Sequence, residues 1–199
     1  MSQPKDIDLP GIGNFKNELY RTSQWPRHPV SFENKRVAVI GTGSSGIQCI
    51  PEIAKTAKHL TVFQRNASYS MPSNNAPTDV ARTQAWFENR DEMHARQRGS
   101  YLGLLMNEFG PTGALEVSEE ERLKVYEERW AQGGLSIVGA FNDLLYNEES
   151  NRTCADFIRG KLRQLINDPE TADALIPKTP FFAKRPCVDA GYYETFNKP

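Results

Sequence analysis

A glycine-rich turn between two apolar runs constrains the fold of this chain more than any other feature. Residues 36–48 read RVAVIGTGSSGIQ, and residues 59–65 read HLTVFQR. The first run is β-branched and predicts a buried strand, the glycines fill the pattern G-x-G-x-x-G, and the spacing after them predicts a helix. The second run predicts another strand. The sequence therefore predicts a parallel βαβ unit and an α/β fold of the Rossmann type.

The three glycines of this turn have separate roles in such a unit. Gly41 permits the tight turn, Gly43 lets the backbone approach a pyrophosphate, and Gly46 lets the helix pack closely on the strand. The free N–H groups at the start of the helix would face the phosphates. Ser44 and Ser45 would add two donors. We predict a dinucleotide site, and the alternative is a glycine-rich turn with a purely structural role.

The end of the second predicted strand indicates which dinucleotide is bound. About twenty residues after the last glycine, an NAD site carries Asp or Glu for the ribose 2'-hydroxyl. This chain has Arg65 there, with Asn66 beside it. Because a guanidinium favours a 2'-phosphate, we predict NADP over NAD. The alternative is a solvated arginine at a strand end.

Charge and composition argue against several other classes of protein. The 199 residues include 24 basic and 25 acidic side chains, which gives no reason to expect nucleic acid or an anionic membrane as a partner. No apolar run approaches the roughly 18 residues of a membrane span, and residues 1–10 have no apolar signal core. We therefore expect a cytoplasmic protein. The cysteines and histidines lack metal-site spacing, so structural or surface roles and no bound metal are expected. They are Cys49, Cys154, Cys187, His28, His59 and His94.

The positions of proline and glycine residues divide the chain into four predicted segments. They are an extended linker (1–35), the βαβ unit with a polar loop after it (36–77), a helical insertion (78–175) and a returning loop (176–199). In the linker, Phe15 and Trp25 are interpreted as anchors to the core. The polar loop at 66–77 leaves the carboxyl end of the second strand, where α/β folds bind ligands, and is a candidate wall of the site. The returning loop carries Lys184 and Arg185, which would suit a phosphate or a developing negative charge, or simply form a surface loop.

Helical spacing recurs throughout the predicted insertion. The sequence predicts helices at 78–98, 135–146 and 153–166, and one that follows the capping box of Ser118 and Glu121. A glycine- and proline-rich break at 110–113 follows a short apolar piece at 101–109. We expect the aromatic side chains of the insertion to lie in the core rather than to contact substrate. They are Trp86, Trp130, Phe141 and Tyr146.

Two features of the βαβ region qualify this prediction. Pro51 falls inside the predicted helix, so we expect either a kink or a helix short enough to tolerate it. Only two strands are evident, and such a pair cannot form the twisted sheet that a cofactor-binding fold of this kind needs. We therefore expect further strands from outside this sequence.

Together, the motifs resemble the NADP-binding domain of type I Baeyer–Villiger monooxygenases, a family that includes cyclohexanone and phenylacetone monooxygenases. The motifs are FKNELYRTSQWP (15–26), GTGSSGIQ (41–48), VFQR (62–65), KRP (184–186) and YYETFN (192–197). The resemblance spans essentially the whole chain. It implies an enzyme that holds FAD in a separate domain, reduces it with NADPH, and uses a flavin peroxide to insert oxygen beside a ketone or to oxidise a heteroatom.

The resemblance also implies roles for individual residues. Those implied to bind the pyrophosphate region of NADP are Gly41, Thr42, Gly43, Ser44, Ser45, Gly46 and Gln48. Arg65 and Lys184 would hold the 2'-phosphate, with Asn66 next to them. Arg185 matches the catalytic arginine, whose cation stabilises negative charge on the flavin. The implied partners are an FAD-binding domain, absent from this sequence, and a small ketone.

Two residues depart from the family fingerprint F-x-G-x-x-x-H-x-x-x-W-P. Asn17 replaces its glycine, and Arg21 replaces its histidine with a permanent cation. Because the single dinucleotide motif is assigned to NADP, the isolated chain is expected neither to hold FAD nor to turn over substrate. Two alternatives remain: part of an N- or S-oxygenating flavin monooxygenase, and a stand-alone, non-catalytic NADP-binding module without an exposed apolar docking face.

Overall fold

A computed structural model describes residues 9–100, 103 and 109–198 of the chain, which form an α/β structure. The strands are β1 (Arg36–Ile40), β2 (His59–Phe63), β3 (Ser70–Pro72) and β4 (Cys187–Asp189). The α-helices are α1 (Ser44–Ile53), α2 (Val80–Glu88), α3 (Arg90–Gly99), α4 (Glu119–Gln132), α5 (Glu148–Leu165) and α6 (Pro169–Leu175). Residues 1–8 of the predicted linker lie outside the described residues, as does most of the apolar piece at 101–109.

The predicted βαβ unit is confirmed. Strands β1 and β2 pair in parallel, from Arg36 opposite His59 to Ile40 opposite Phe63. The connecting helix α1 buries its apolar face, formed by Ile47, Ile50 and Ile53. It contains Pro51 and is only ten residues long, which agrees with the second of the two outcomes expected for this proline.

One face of the β1–β2 pair is covered and the other is open. Val39, Leu60 and Val62 point inward and pack against the core. On the opposite face, Ile40 is 73% exposed and Phe63 is 55% exposed, at the carboxyl ends of the two strands. Parallel sheets are normally covered on both faces, so this open face is unusual.

Two further strands, β3 and β4, form a second parallel pair that the sequence analysis did not identify. The prediction of a polar loop at 66–77 is therefore partly wrong, because β3 lies within this range and the side chains of Tyr69, Ser70 and Met71 are buried. Strand β4 packs against α1. The Ser70 hydroxyl donates a 2.5 Å hydrogen bond to Asp189 Oδ2 and so joins the two strands. Because β4 packs against α1, the returning chain lies directly against the βαβ unit.

Several helix predictions need correction. The helix expected at 78–98 is two helices, α2 and α3, separated at Asn89, whose side chain donates to the Ala85 carbonyl. The helix expected at 135–146 is only a 3-10 turn, Ser136–Gly139, because nearby backbone groups bond to the 110–113 segment instead. Gly110 N donates to Gly139 O at 2.8 Å, and Asn142 N donates to Thr112 O at 3.0 Å.

Helix starts follow the side chains that cap them. Helix α4 begins as predicted, with Ser118 Oγ accepting from Glu121 N at 3.2 Å. Helix α5 begins five residues before the predicted position 153, because Asn147 caps it. Helix α6 was not predicted, although Asp168 at its N-cap and Pro169 in its first turn are recognisable start signals.

The main core lies between α4, α5 and the irregular segment after α4. Tyr126 and Phe141 are buried there and meet edge to face, with ring centroids 5.4 Å apart. Trp130 packs partly buried against this core, but Trp86 is 37% exposed and Tyr146 is 77% exposed. The prediction that the insertion's aromatic residues are core residues is therefore wrong for Trp86 and Tyr146.

The described part of the N-terminal linker contains two 3-10 turns and, at Glu33, an isolated antiparallel bridge to Ala57. Phe15 and Trp25 are both exposed, so the prediction that they anchor the linker to the core is wrong. Trp25 instead lies against Tyr20 and Phe32, with ring centroids 5.6 Å and 6.2 Å away. Asn17 is not among the residues with positive φ, so its position does not need a glycine-like backbone.

Candidate functional site

The glycine turn begins at the carboxyl end of β1. Gly41 has a φ of +100°, in the region that favours glycine, and its N–H donates a 2.9 Å hydrogen bond to the Phe63 carbonyl. This bond extends the pairing of β1 and β2 by one step before the chain turns. The turn is therefore fixed to the end of both strands.

Gly46 is the point of closest approach between helix and turn. A Cβ atom at this position would lie closer than 3.0 Å to the carbonyl oxygen of Gly41, which is backbone and cannot move aside cheaply. By contrast, a Cβ at Gly43 would meet no atom within 4 Å. Position 46 is restricted by packing inside the protein, whereas position 43 borders open space in which a ligand could lie.

Helix α1 presents free N–H groups at this open side. Its N-cap is Gly43, which supplies no side-chain cap, so the first-turn amides keep their donors. Ser44 and Ser45 are exposed beside them. The Gln48 side chain donates to Ser44 Oγ at 3.3 Å, one turn along the helix. The helix dipole adds partial positive charge at this end, which favours an anion.

Thr42 differs from the other turn residues because its side chain points inward. It is 6% exposed, and its hydroxyl lies 3.4 Å from both Gln64 Oε1 and the Asn66 carbonyl oxygen. Gln64 in turn donates to the Ala174 carbonyl at 2.8 Å. The Thr42 side chain therefore ties the turn to the end of β2, and Gln64 ties that end to α6. Sequence analysis assigned no role to Gln64.

Arg65 and Asn66 lie two and three residues after the end of β2 and are exposed. Within the described residues, Arg65 makes no hydrogen bond or ion pair, so its guanidinium is available to an external anion. Residues 64–66, which follow β2 directly, include no carboxylate. Arg65, which the sequence predicts to bind the 2'-phosphate, therefore lies at the same sheet edge as the glycine turn.

Lys184 and Arg185 lie on the loop between α6 and β4, and both are exposed. Within the described part of the chain, no hydrogen bond or ion pair joins either residue to the glycine turn. The connection is instead through β4, which begins two residues after Arg185 and packs against α1. The structure thus places β4, the strand that follows this loop, against the βαβ unit. The side chains of Lys184 and Arg185 remain exposed to solvent.

Burial affects all three cysteines of the chain. Burial raises the pKa of Cys49, on α1, and its Sγ donates to the Gly46 carbonyl at 3.4 Å. Burial also raises the pKa of Cys154 and Cys187. Among the described residues, no group of histidine, cysteine and acidic side chains could hold a metal ion. The described helices include none that is both long and apolar enough to span a membrane.

These elements define the class of the fold: a Rossmann-type α/β unit with an open glycine turn and a largely helical segment packed beside it. A family model described as "Flavin-binding monooxygenase-like" matches residues 3–86. The chain is 43% identical to cyclohexanone 1,2-monooxygenase of an Acinetobacter species, over 100% of this chain and 36% of that protein. It is 40% identical to phenazine N-monooxygenase PhzNO1 of Lysobacter antibioticus, over 96% of this chain and 35% of that protein.

Solved structures agree with these relatives. A structure described as oxidized steroid monooxygenase bound to NADP matches with a TM-score of 0.93 and 44% identity, over 99% of this chain and 38% of that one. The resemblance of this chain to flavin-dependent Baeyer–Villiger monooxygenases is therefore confirmed, and it extends along nearly the whole chain. The chain spans about a third of the length of the relatives that it matches.

Proposed function

We propose that this chain is the NADP(H)-binding part of an NADPH- and FAD-dependent Baeyer–Villiger monooxygenase. The observation that carries this proposal is the open glycine turn with Arg65 at the adjoining strand end. A backbone that leaves space at Gly43, and free amides at the start of α1, fit a pyrophosphate. A cation where an NAD site would carry an acid fits a 2'-phosphate.

In this proposal, different residues of the chain bind different parts of the cofactor. The turn from Gly41 to Gly46, with Ser44, Ser45 and Gln48, holds the pyrophosphate. Thr42 acts by fixing the turn, because its hydroxyl points toward Gln64 and Asn66. Arg65 and Lys184 hold the 2'-phosphate, and Asn66 contributes beside Arg65. NADPH, when bound, supplies the hydride, and these residues bind and orient it.

The rest of the proposed enzyme lies outside this sequence. An FAD-binding domain supplies the oxygen chemistry, and Arg185 provides a cation that stabilises negative charge next to the flavin. The substrate class is a small ketone, and the location is the cytoplasm. The exposed Ile40 and Phe63 support a missing partner, because a stand-alone module would not leave apolar side chains open on a sheet face.

Calorimetric titration of the purified chain with NADP+ and, in parallel, with NAD+ tests the proposal. We expect saturable NADP+ binding and at least about tenfold weaker NAD+ binding, since only NADP+ presents the phosphate to Arg65 and Lys184. Circular dichroism on the same sample establishes that the chain is folded. A folded chain that binds both cofactors equally would overturn the assignment to NADP.

A second candidate is part of an N-oxygenating flavin monooxygenase. The observation that favours it is the 40% identity to a phenazine N-monooxygenase along 96% of the chain. Both candidates use the same NADP(H) site, so cofactor binding does not separate them. Product analysis of the full-length enzyme with a cyclic ketone and with an aromatic N-heterocycle separates them. The first candidate converts the ketone to a lactone, and the second converts the heterocycle to an N-oxide.

A further inference from the structure

The loop that carries Lys184 and Arg185 is held at its start by side chains from other elements. Arg159 of α5 donates from Nε to the Pro177 carbonyl at 2.9 Å and from Nη2 to the Thr179 carbonyl at 3.0 Å. The Tyr69 hydroxyl also donates to the Thr179 carbonyl, at 2.7 Å. These contacts fix the loop as it leaves α6, before it reaches the two cations.

Asn151, on α5, holds the next part of the same loop. It is buried, accepts from Phe181 N at 3.0 Å and donates to Phe181 O at 2.8 Å. It also donates to the Leu144 carbonyl at 2.9 Å. One amide side chain thus satisfies both backbone groups of Phe181, as a neighbouring strand would, and leaves little freedom for that residue.

The residue after Phe181 sets the direction in which the loop continues. Phe182 has a φ of +68°, a left-handed conformation that costs a bulky residue free energy unless its surroundings impose it. Phe181 supplies such surroundings, since it is 2% exposed and meets the rings of Tyr69 and Phe182 at 5.3 Å and 5.9 Å. The turn at Phe182 therefore depends on the fixed position of Phe181.

Lys184 and Arg185 follow two and three residues after this turn. Within the described residues, their side chains make no hydrogen bond or ion pair of their own. Their location is thus decided by the backbone on either side of them, with the turn at Phe182 before them and β4 after them. We propose that Asn151 is a positioning residue for Lys184, and that it contributes to the NADP preference without contacting the cofactor. This inference depends on the proposed function, in which Lys184 binds the 2'-phosphate.

The test compares NADP+ and NAD+ dissociation constants for the whole chain and for Asn151→Ala. We expect NADP+ affinity to fall about tenfold and NAD+ affinity to change less than about twofold, because only NADP+ carries the phosphate that Lys184 reads. A purely structural role would weaken both equally. The matched control is Tyr126→Phe, which removes a partly buried 2.8 Å hydrogen bond to Thr153 of the same helix and should keep the preference.

Further variants extend the test. Asn151→Ser keeps a small polar group but cannot satisfy both backbone groups of Phe181, so it should lower the preference even if Asn151→Ala does not fold. In a Lys184→Ala background, either substitution should change NADP+ affinity by less than about twofold, because its effect passes through Lys184.

The outcomes separate this inference from the proposed function. If the wild-type chain prefers NADP+ and the folded Asn151 variants keep that preference, the positioning role is wrong and the proposed function stands. Fully additive effects of the Asn151 and Lys184 substitutions would also overturn the positioning role. If the folded wild-type chain shows no preference, the proposed function fails and the inference fails with it.

Discussion

Gly46 lies against the carbonyl oxygen of Gly41 so closely that no side chain can be added between them. Three residues earlier, Gly43 faces open space and has an ordinary φ of −79°. The two glycines of one motif therefore differ in what surrounds them. Packing inside the protein restricts Gly46, whereas we predict that the open space at Gly43 is needed for the pyrophosphate of a bound dinucleotide.

Alanine substitutions should separate these two roles. Gly46→Ala should lower the free energy of unfolding by at least about 2 kcal/mol, because its Cβ meets backbone. Gly43→Ala should lower it by no more than about 1 kcal/mol, the cost of a poorer N-cap, yet lower NADP+ affinity at least about tenfold. Chemical denaturation and calorimetry measure the two effects. Tight NADP+ binding by Gly43→Ala would mean that the pyrophosphate lies elsewhere.

Reversing the charge at Arg65 should change cofactor preference. Arg65→Asp is expected to lower the NADP+ to NAD+ affinity ratio at least about tenfold, because a carboxylate repels the 2'-phosphate and can accept from the ribose hydroxyl. Arg36→Asp is the matched control, since it makes the same charge change at the opposite end of the β1–β2 pair. An unchanged ratio in Arg65→Asp would contradict the assignment of Arg65.

The N-cap of α6 should make stability depend on pH. The hydroxyl and N–H of Thr171 donate to Asp168 and lower its pKa below the usual 3.8. The charged cap therefore stabilises the fold above that value, and its contribution is lost as pH falls through the lowered pKa. We expect wild-type protein to be more stable than Asp168→Asn at neutral pH, and the difference to disappear in acid.

Urea denaturation at several pH values measures this dependence. Asp173→Asn is the control, because Asp173 lies on the same helix and is exposed like Asp168, but it caps none of the described helices and is 3.9 Å from Arg163 in a solvent-exposed ion pair. It should leave the acid dependence of stability close to that of the wild-type chain. If Asp168→Asn and wild type lose stability in parallel on acidification, the cap carries no charge-dependent contribution.

The three thiols should differ in reactivity. Cys49 is partly exposed, whereas Cys154 and Cys187 are buried. A thiol-specific chromogenic reagent should modify Cys49 in the folded chain and all three cysteines in denaturant. The rate for Cys49 should rise with pH beyond the usual range of a free thiol, because burial raises its pKa. Cys49→Ser should remove this phase, and rapid modification of Cys154 would contradict its buried position.

Local signals accounted for much of the fold and for the centre of the site. The apolar runs, the glycine spacing and the cap at Ser118 each act within a few residues, so the sequence was enough to predict β1, α1, β2 and the start of α4. The cap at Asp168 was available in the same way but was not recognised. The roles of individual cofactor-binding residues remain predictions.

Features that depend on distant partners could not be read from the sequence. Strands β3 and β4 are only three residues long and exist because Ser70 meets Cys187 across the chain. The helix predicted at 135–146 is not formed over most of that range, because backbone groups there make hydrogen bonds with a segment about thirty residues earlier. Gln64 and Asn151 are ordinary polar residues until folding brings Ala174 and Phe181 to them.

The sequence alone thus determined the βαβ unit and its open glycine turn, because strand, turn and helix propensities act over a few neighbouring residues. It also placed a cation where an NAD site would carry an acid. Only the tertiary structure decided how the chain returns to that unit through β4, and which buried amide holds the loop of Lys184 and Arg185. Those arrangements depend on hydrogen bonds between residues far apart in the chain, and no local pattern specifies them.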